Sequence, residues 1–242
     1  MKLAKPENSN LQTISPLKDE CNSYLMVNLT KQLLSTKDTE VLSAVKRVGI
    51  IASLDIESCI LRMIQYQIFP VFLSLLKPLT TSKPKLFDAK SVSPKDKIEE
   101  LLRNELATVI VTIAGLVMKL PAATTFEGIK IPEDKPFLGA CSYILIQHIQ
   151  PFLSVHSDLF LVNEDTSIDF TRRISTFILE LCVKQKKKKL HVDELMHLCV
   201  KYIKKLLNSI DSTTINNSLC ALAYLTDVCN GEVLNRIYHC LR

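Results

Sequence analysis

Leu106-Ala107-Thr108-Val109-Ile110-Val111-Thr112-Ile113-Ala114-Gly115-Leu116-Val117-Met118 decides the fold class of this chain. Thr108 to Ile113 is β-branched at every position and by composition alone passes for a strand. Strands, however, run about 4–8 residues, and this stretch lies inside a longer periodic run from Ile98 to Lys119. Length therefore favours a helix. The stretch carries no charge, yet it is too short by itself to span a bilayer, which takes about 20 apolar residues.

The same reading extends along the chain. Val41, Leu42, Val45, Val48, Ile51 and Ala52 recur at helical spacing, with Lys46 and Arg47 together on the wet side. Ile56 to Lys77 reads as a second helix, broken near Pro70. Further helices are expected over Leu138 to Val155, Thr171 to Val183, Val192 to Ser209, Thr213 to Val228 and Glu232 to Leu241. Asp193 and Glu194 fall in a first turn, where the helix dipole favours acids. Residues 1–23 read as a loose polar tail, and 24–242 as the folded domain. Loops are expected at 78–97, 121–136 and 156–169, the first two rich in proline. The expected class is all-α.

Composition narrows the function classes. A chain of 242 residues holds one domain or two small ones. Apolar residues at 47% and charged residues at 23% exclude wholesale disorder. Five glycines argue against a Gly-rich phosphate loop. The formal charge of +5 comes from one place. Lys184, Lys186, Lys187, Lys188 and Lys189 account for it, and without them the charges balance at 25 to 25. A local cluster is not a phosphate-tracking face, so no nucleic-acid partner is expected. The lysine run reads as a solvated loop between helices. A localisation signal, or a segment that fills a neighbour's groove, is the sharper alternative.

Eight cysteines occur, none as Cys-x-x-Cys, and most lie in apolar runs. Such thiols behave as small core residues in a reducing compartment. Met1 to Pro16 has no apolar core, so a secretory signal is not expected. These features point to cytoplasm and nucleus. His191, His197 and Cys199 invite a zinc reading, but spacings of six and two do not match structural zinc patterns. No nucleophile-elbow, Ser-x-x-Lys or His-Glu-x-x-His pattern occurs, so neither catalysis nor a cofactor is expected.

The helices pair, and each pair ends an apolar helix in a small-residue anchor. The anchors Ile51-Ala52, Ile113-Ala114, Leu181-Cys182 and Leu225-Thr226 are spaced by 62, 68 and 44 residues. An armadillo or HEAT unit runs about 40–47 residues, and the inserted loops can supply the excess. About four stacked units, each burying its apolar face on the next, are expected.

Asn217-Ser218-Leu219-Cys220-Ala221-Leu222-Ala223-Tyr224-Leu225-Thr226-Asp227, followed by Asn230, resembles a repeat of importin-α. Arg172 to Cys182, Val200 to Asp211, Ile68 to Lys77 and Glu105 to Gly115 are similar to further stretches of that family, in family order. The resemblance covers roughly residues 28–242. It implies a right-handed superhelical array of helices that recognises nuclear-localisation peptides in nuclear protein import, with importin-β-type proteins as further partners. In the family, tryptophan faces clamp lysine stems and asparagine amides hold the peptide backbone. The tryptophan positions map here to Thr108, Thr176 and Cys220, and the asparagine positions to Thr112, Glu180 and Tyr224. Asp227 lies beside them. The chain has no tryptophan at all, and residues 1–20 hold only Lys2, Lys5 and Lys18 in place of the family's dense basic segment. The family's array is longer, so this chain looks like its first part or a shortened relative. The alternative is an ARM/HEAT scaffold that organises another protein complex and carries no cargo.

Overall fold

The computed structural model describes residues 23–81, 94–121, 139–162, 167–187, 193–228 and Asn235. These are helical, with no strand among them. In chain order they form α1 (Ser23–Leu33), α2 (Asp38–Leu54), α3 (Ile56–Gln65), α4 (Ile68–Thr81), α5 (Pro94–Lys119), α6 (Ala140–Ile144), α7 (Gln150–Val162), α8 (Ile168–Lys186), α9 (Asp193–Leu206) and α10 (Ser212–Val228). The expected final helix Glu232 to Leu241 lies outside the described residues apart from Asn235. So does the expected tail, except Ser23, which opens α1.

The β-branched stretch is helix, as its length requires. Leu106, Ile110, Ile113 and Val117 form one fully buried face of α5, and Val109 and Val111 are buried on its flanks. α5 packs on α2 and on α8, so two sides of it need apolar cover. Burial on that scale outweighs the few tenths of a kcal/mol by which each β-branched residue disfavours a helix. Within Leu106 to Met118, Thr108, Thr112, Gly115 and Leu116 stay partly open. Lys97–Lys119, 23 residues, is long and apolar enough to cross a bilayer, although the run from Leu106 to Met118 is not; in this fold 56% of its most apolar window is buried.

α2 packs on α5, α5 on α8 and α8 on α10. α4 packs on α7 and α7 on α9, while α8 and α10 also touch α9. α8 and α10 run parallel, because Arg172 meets Asp211 near their beginnings and Lys186 meets Asp227 near their ends. Gly49 marks the closest approach of α2 to α5: a Cβ there would lie 2.9 Å from Val109 Cγ2. Gly115 faces open space. Gly115→Ala is therefore expected to stabilise by about 0.5–1 kcal/mol through helix propensity, and Gly49→Leu to destabilise by about 1–3 kcal/mol. Equal effects in chemical denaturation would contradict this arrangement.

Boundaries differ from the sequence reading: residues 78–81 and 94–97, expected as loop, belong to α4 and α5. The helix expected over Ile56 to Lys77 breaks at Gln67, whose φ is 54°, and the chain bends by 74° there. Pro70 sits inside the first turn of α4, where a missing N–H costs no intrahelical bond. Through Pro151 the helix continues, as expected, and Leu145–Ile149 widens into a π turn, with the Gln150 N–H bonding the Leu145 carbonyl. A wider turn relieves the clash of a proline ring with the carbonyl four residues back. Of residues 156–169, expected as a loop, 156–162 instead end α7 and 168–169 begin α8, while 163–166 lie outside the described residues. His156, Ser157 and Phe160 are buried there.

His156 sits in an aromatic cluster joining α7, α8 and α9. Its ring stacks near Phe152, Phe160 and Tyr202 and meets Phe170 edge-on at 5.1 Å. Its Nδ1 lies 3.0 Å from the Tyr202 hydroxyl, which in turn donates to the Leu153 carbonyl at 3.0 Å. With the Tyr202 proton used on Leu153, Nδ1 is assigned as the donor to the phenol oxygen. Cys59, Cys141, Cys182 and Cys199 are buried thiols, and Cys220 is exposed.

Candidate functional site

The sequence-selected residues lie on three helices that pack side by side. Thr108 and Thr112 are on α5, Thr176 and Glu180 on α8, and Cys220, Tyr224 and Asp227 on α10. Helical spacing keeps the two or three on each helix on one face. Thr108, Thr112, Glu180 and Tyr224 are half-buried, and Thr176, Cys220 and Asp227 are exposed.

Side chains bridge from helix to helix along this strip. Arg173 Nη1 donates to Thr112 Oγ1 at 3.3 Å, while its Nε holds Asp169 at 2.8 Å. Asn217 Nδ2 donates to Thr176 Oγ1 at 3.2 Å and to Ser175 Oγ at 3.3 Å. Arg173 and Asn217 were not singled out from sequence. Each lies three residues before a selected position, Thr176 or Cys220, and so on the same helix face, which is the signal that could have found them. The threonines are satisfied locally: Thr108, Thr112 and Thr176 each donate to the carbonyl four residues back at 2.8 Å.

The α8 end of the lysine run departs from the sequence reading. Lys184 and Lys186 belong to the last turn of α8 rather than to a loop, where cations suit the helix dipole. Lys187 follows that turn, exposed, while Lys188 and Lys189 lie outside the described residues. Lys186 reaches α10: its Nζ sits 2.8 Å from Asp227 Oδ2 and 5.2 Å from the centre of the Tyr224 ring. The hydrogen bond and charge of Asp227 raise the Lys186 pKa. Tyr224 and Asp227 thus already hold an ammonium group. Glu180, half-buried, makes no hydrogen bond or ion pair among the described residues.

The start of α10 is anchored by Asp211. This nearly buried carboxylate takes two guanidinium contacts from Arg172, at 2.7 and 3.0 Å, and caps the helix through the Thr214 N–H and hydroxyl. The Arg172 guanidinium, with Thr214 behind it, holds the Asp211 carboxyl well below the usual carboxylate range. Of the zinc candidates, His197 is exposed and Cys199 buried, so α9 directs them apart; His191 lies outside the described residues. Among the described residues, no three metal-ligating side chains come together.

No protein-family model, no curated protein and no solved structure gives a significant match to this chain.

Proposed function

We propose that this chain is a protein-binding helical-repeat module of the importin-α kind, in which α2, α5, α8 and α10 are successive equivalent helices of a solenoid. The open strip over α5, α8 and α10 takes an extended, lysine-containing peptide. The observation that carries this reading is the ladder of cross-helix side-chain contacts, Thr112 with Arg173, Thr176 with Asn217, and Tyr224 and Asp227 with Lys186. Such a ladder presents hydrogen-bonding groups at intervals, the chemistry an extended backbone needs. Nuclear import in the cytoplasm and nucleus is the corresponding cellular role. The second reading, a scaffold for another protein complex, is favoured by the cations along the same strip, Arg173, Lys184 and Lys186, which repel basic cargo.

With no indole clamp, binding of lysine-rich peptides is expected to be weak and salt-sensitive. Glu180→Lys is expected to abolish it. Lys186→Gln, which frees Tyr224 and Asp227, is expected to strengthen it by roughly two- to fivefold, the scale of one exposed pair. Titration of a labelled lysine-rich peptide at low salt into wild type and both variants tests this. Binding to none of the three removes the import reading and leaves the scaffold.

A further inference from the structure

We infer that the cleft where the N-terminal ends of α5 and α8 meet the end of α9 is a second protein-docking site, one that takes a partner segment presenting an aliphatic side chain beside a lysine or arginine. The cleft has a volume of about 590 Å³ and is walled by Glu100 and Asn104 of α5, Phe160 of α7, Ile168 of α8, Lys205 of α9 and Ile210 of the turn into α10. It is separate from the strip residues, although Asn104 is one helical turn before Thr108.

Two isoleucines stand in water at this cleft, Ile210 at 91% and Ile168 at 45% exposure. A small molecule enclosed in the cleft would leave the outward surface of Ile210 uncovered, because small-ligand sites enclose most of the ligand rather than cover a projecting side chain. A macromolecular partner covers both.

The polar groups choose the partner's charge. Lys205 is committed within the chain: its Nζ donates to the Phe160 carbonyl and lies 4.7 Å from the centre of the Phe160 ring. That contact holds the ammonium at Phe160, and no ion pair joins it to Glu100. The Glu100 carboxylate makes no hydrogen bond or ion pair among the described residues, although the half-buried Arg103 beside it feels its charge. Of the other nearby acids, Asp169 is held by Arg173 and Asp211 by Arg172. A guanidinium or ammonium from a partner meets Glu100 as the carboxylate with capacity left. The Asn104 side chain, also without a hydrogen bond among the described residues, offers one donor and one acceptor, the pair a peptide group requires.

The test is an amide chemical-shift titration of the full chain with millimolar Gly/Ser peptides carrying a single Leu-Arg, Leu-Glu or Ser-Arg pair. The Leu-Arg peptide is expected to shift Asn104, Ile168 and Ile210. Glu100→Lys and Ile210→Asp should each weaken it at least tenfold, while Glu180→Lys on the strip leaves it unchanged. Thermal unfolding of the exposed-site variant Ile210→Asp checks that the fold survives. The inference is overturned if the Leu-Glu peptide binds as well, if Ser-Arg matches Leu-Arg, if shifts fall only along α8 and α10, or if no peptide moves the cleft. Loss of lysine-peptide binding at the strip with cleft binding intact would sink the proposed function and leave this site standing.

Discussion

Lowering the pH from 7 to 5 is expected to destabilise the fold by about 2 kcal/mol, and His156→Phe to remove most of that loss. Burial first, and then the charges of Arg103 and Lys205, push the His156 pKa from 6.5 down to about 3. In the unfolded chain the imidazole takes its proton near pH 6.5. Between the two values the unfolded state binds a proton that the folded state refuses, so stability rises with pH in this window. It is complete above about 6.5 and falls as the pH drops towards 3. At pH 5 the gap is about 1.5 units, or about 2 kcal/mol. His148 adds to the loss with the same sign, because its own burial against Phe69 lowers its pKa. Asp211 does not enter here, since its depressed pKa matters only below the ordinary carboxylate range near 4. Phenylalanine keeps the ring among Phe152, Phe160, Phe170 and Tyr202, and Tyr202 keeps its bond to the Leu153 carbonyl. Urea denaturation of both proteins at pH 7, 6 and 5 reads the result. A wild type equally stable at pH 5 and 7, or a variant that retains the full slope, would falsify the assignment of His156 as a buried neutral imidazole.

Ile110→Ala is expected to cost about 2–5 kcal/mol, a large part of the roughly 5–15 kcal/mol that holds a typical domain together. Ile110 is fully buried in α5, the helix that packs on both α2 and α8. Its deletion leaves a cavity in the middle of the row, where neighbours on both sides limit collapse. At about 2–4 °C per kcal/mol for a chain of this size, the midpoint of thermal unfolding should fall by roughly 5–15 °C. Thr108→Ala, two residues away, is the matched control. Among the described residues the Thr108 hydroxyl bonds only the Asn104 carbonyl of its own helix, and alanine is the better helix former, so this change should be neutral or stabilising by up to about 0.5 kcal/mol. Comparable losses at both positions would mean that α5 does not present these faces as described.

Much of the helical content was legible because it depends on local information. The run from Ile98 to Lys119 was too long for a strand, and the apolar positions of α2 fall at helical spacing, so its buried face could be named from the chain alone. Of the small residues in the anchors, Ala52, Ala114 and Cys182 are buried, while Thr226 is exposed. Where local rules were misread, the alternatives were themselves local. Pro70, expected to break the helix, is tolerated in a first turn, and the break falls at Gln67 instead. The segment 156–169 looked like a loop because His156, Ser157 and Ser167 are polar, and polarity in sequence does not disclose that a Tyr202 from another helix will satisfy an imidazole.

The sequence by itself determined the class of fold and which face of most helices is apolar, because a 3.6-residue period is written into neighbouring residues. The helical period also puts Thr108 with Thr112, Thr176 with Glu180, and Cys220 with Tyr224 on one face of their own helices. Only the tertiary structure decided which helices lie side by side, that Arg173 and Asn217 bridge them, that Lys186 fills the corner of Tyr224 and Asp227, and that Glu100 and Ile210 border one cleft. The contacts concerned join residues 39 to 61 positions apart where they cross between helices at Arg172, Arg173 and Asn217. A hydrophobic face specifies that it must be covered but not by what, since the hydrophobic effect has no direction. The choice of neighbour comes from how the particular side chains interlock once the helices meet.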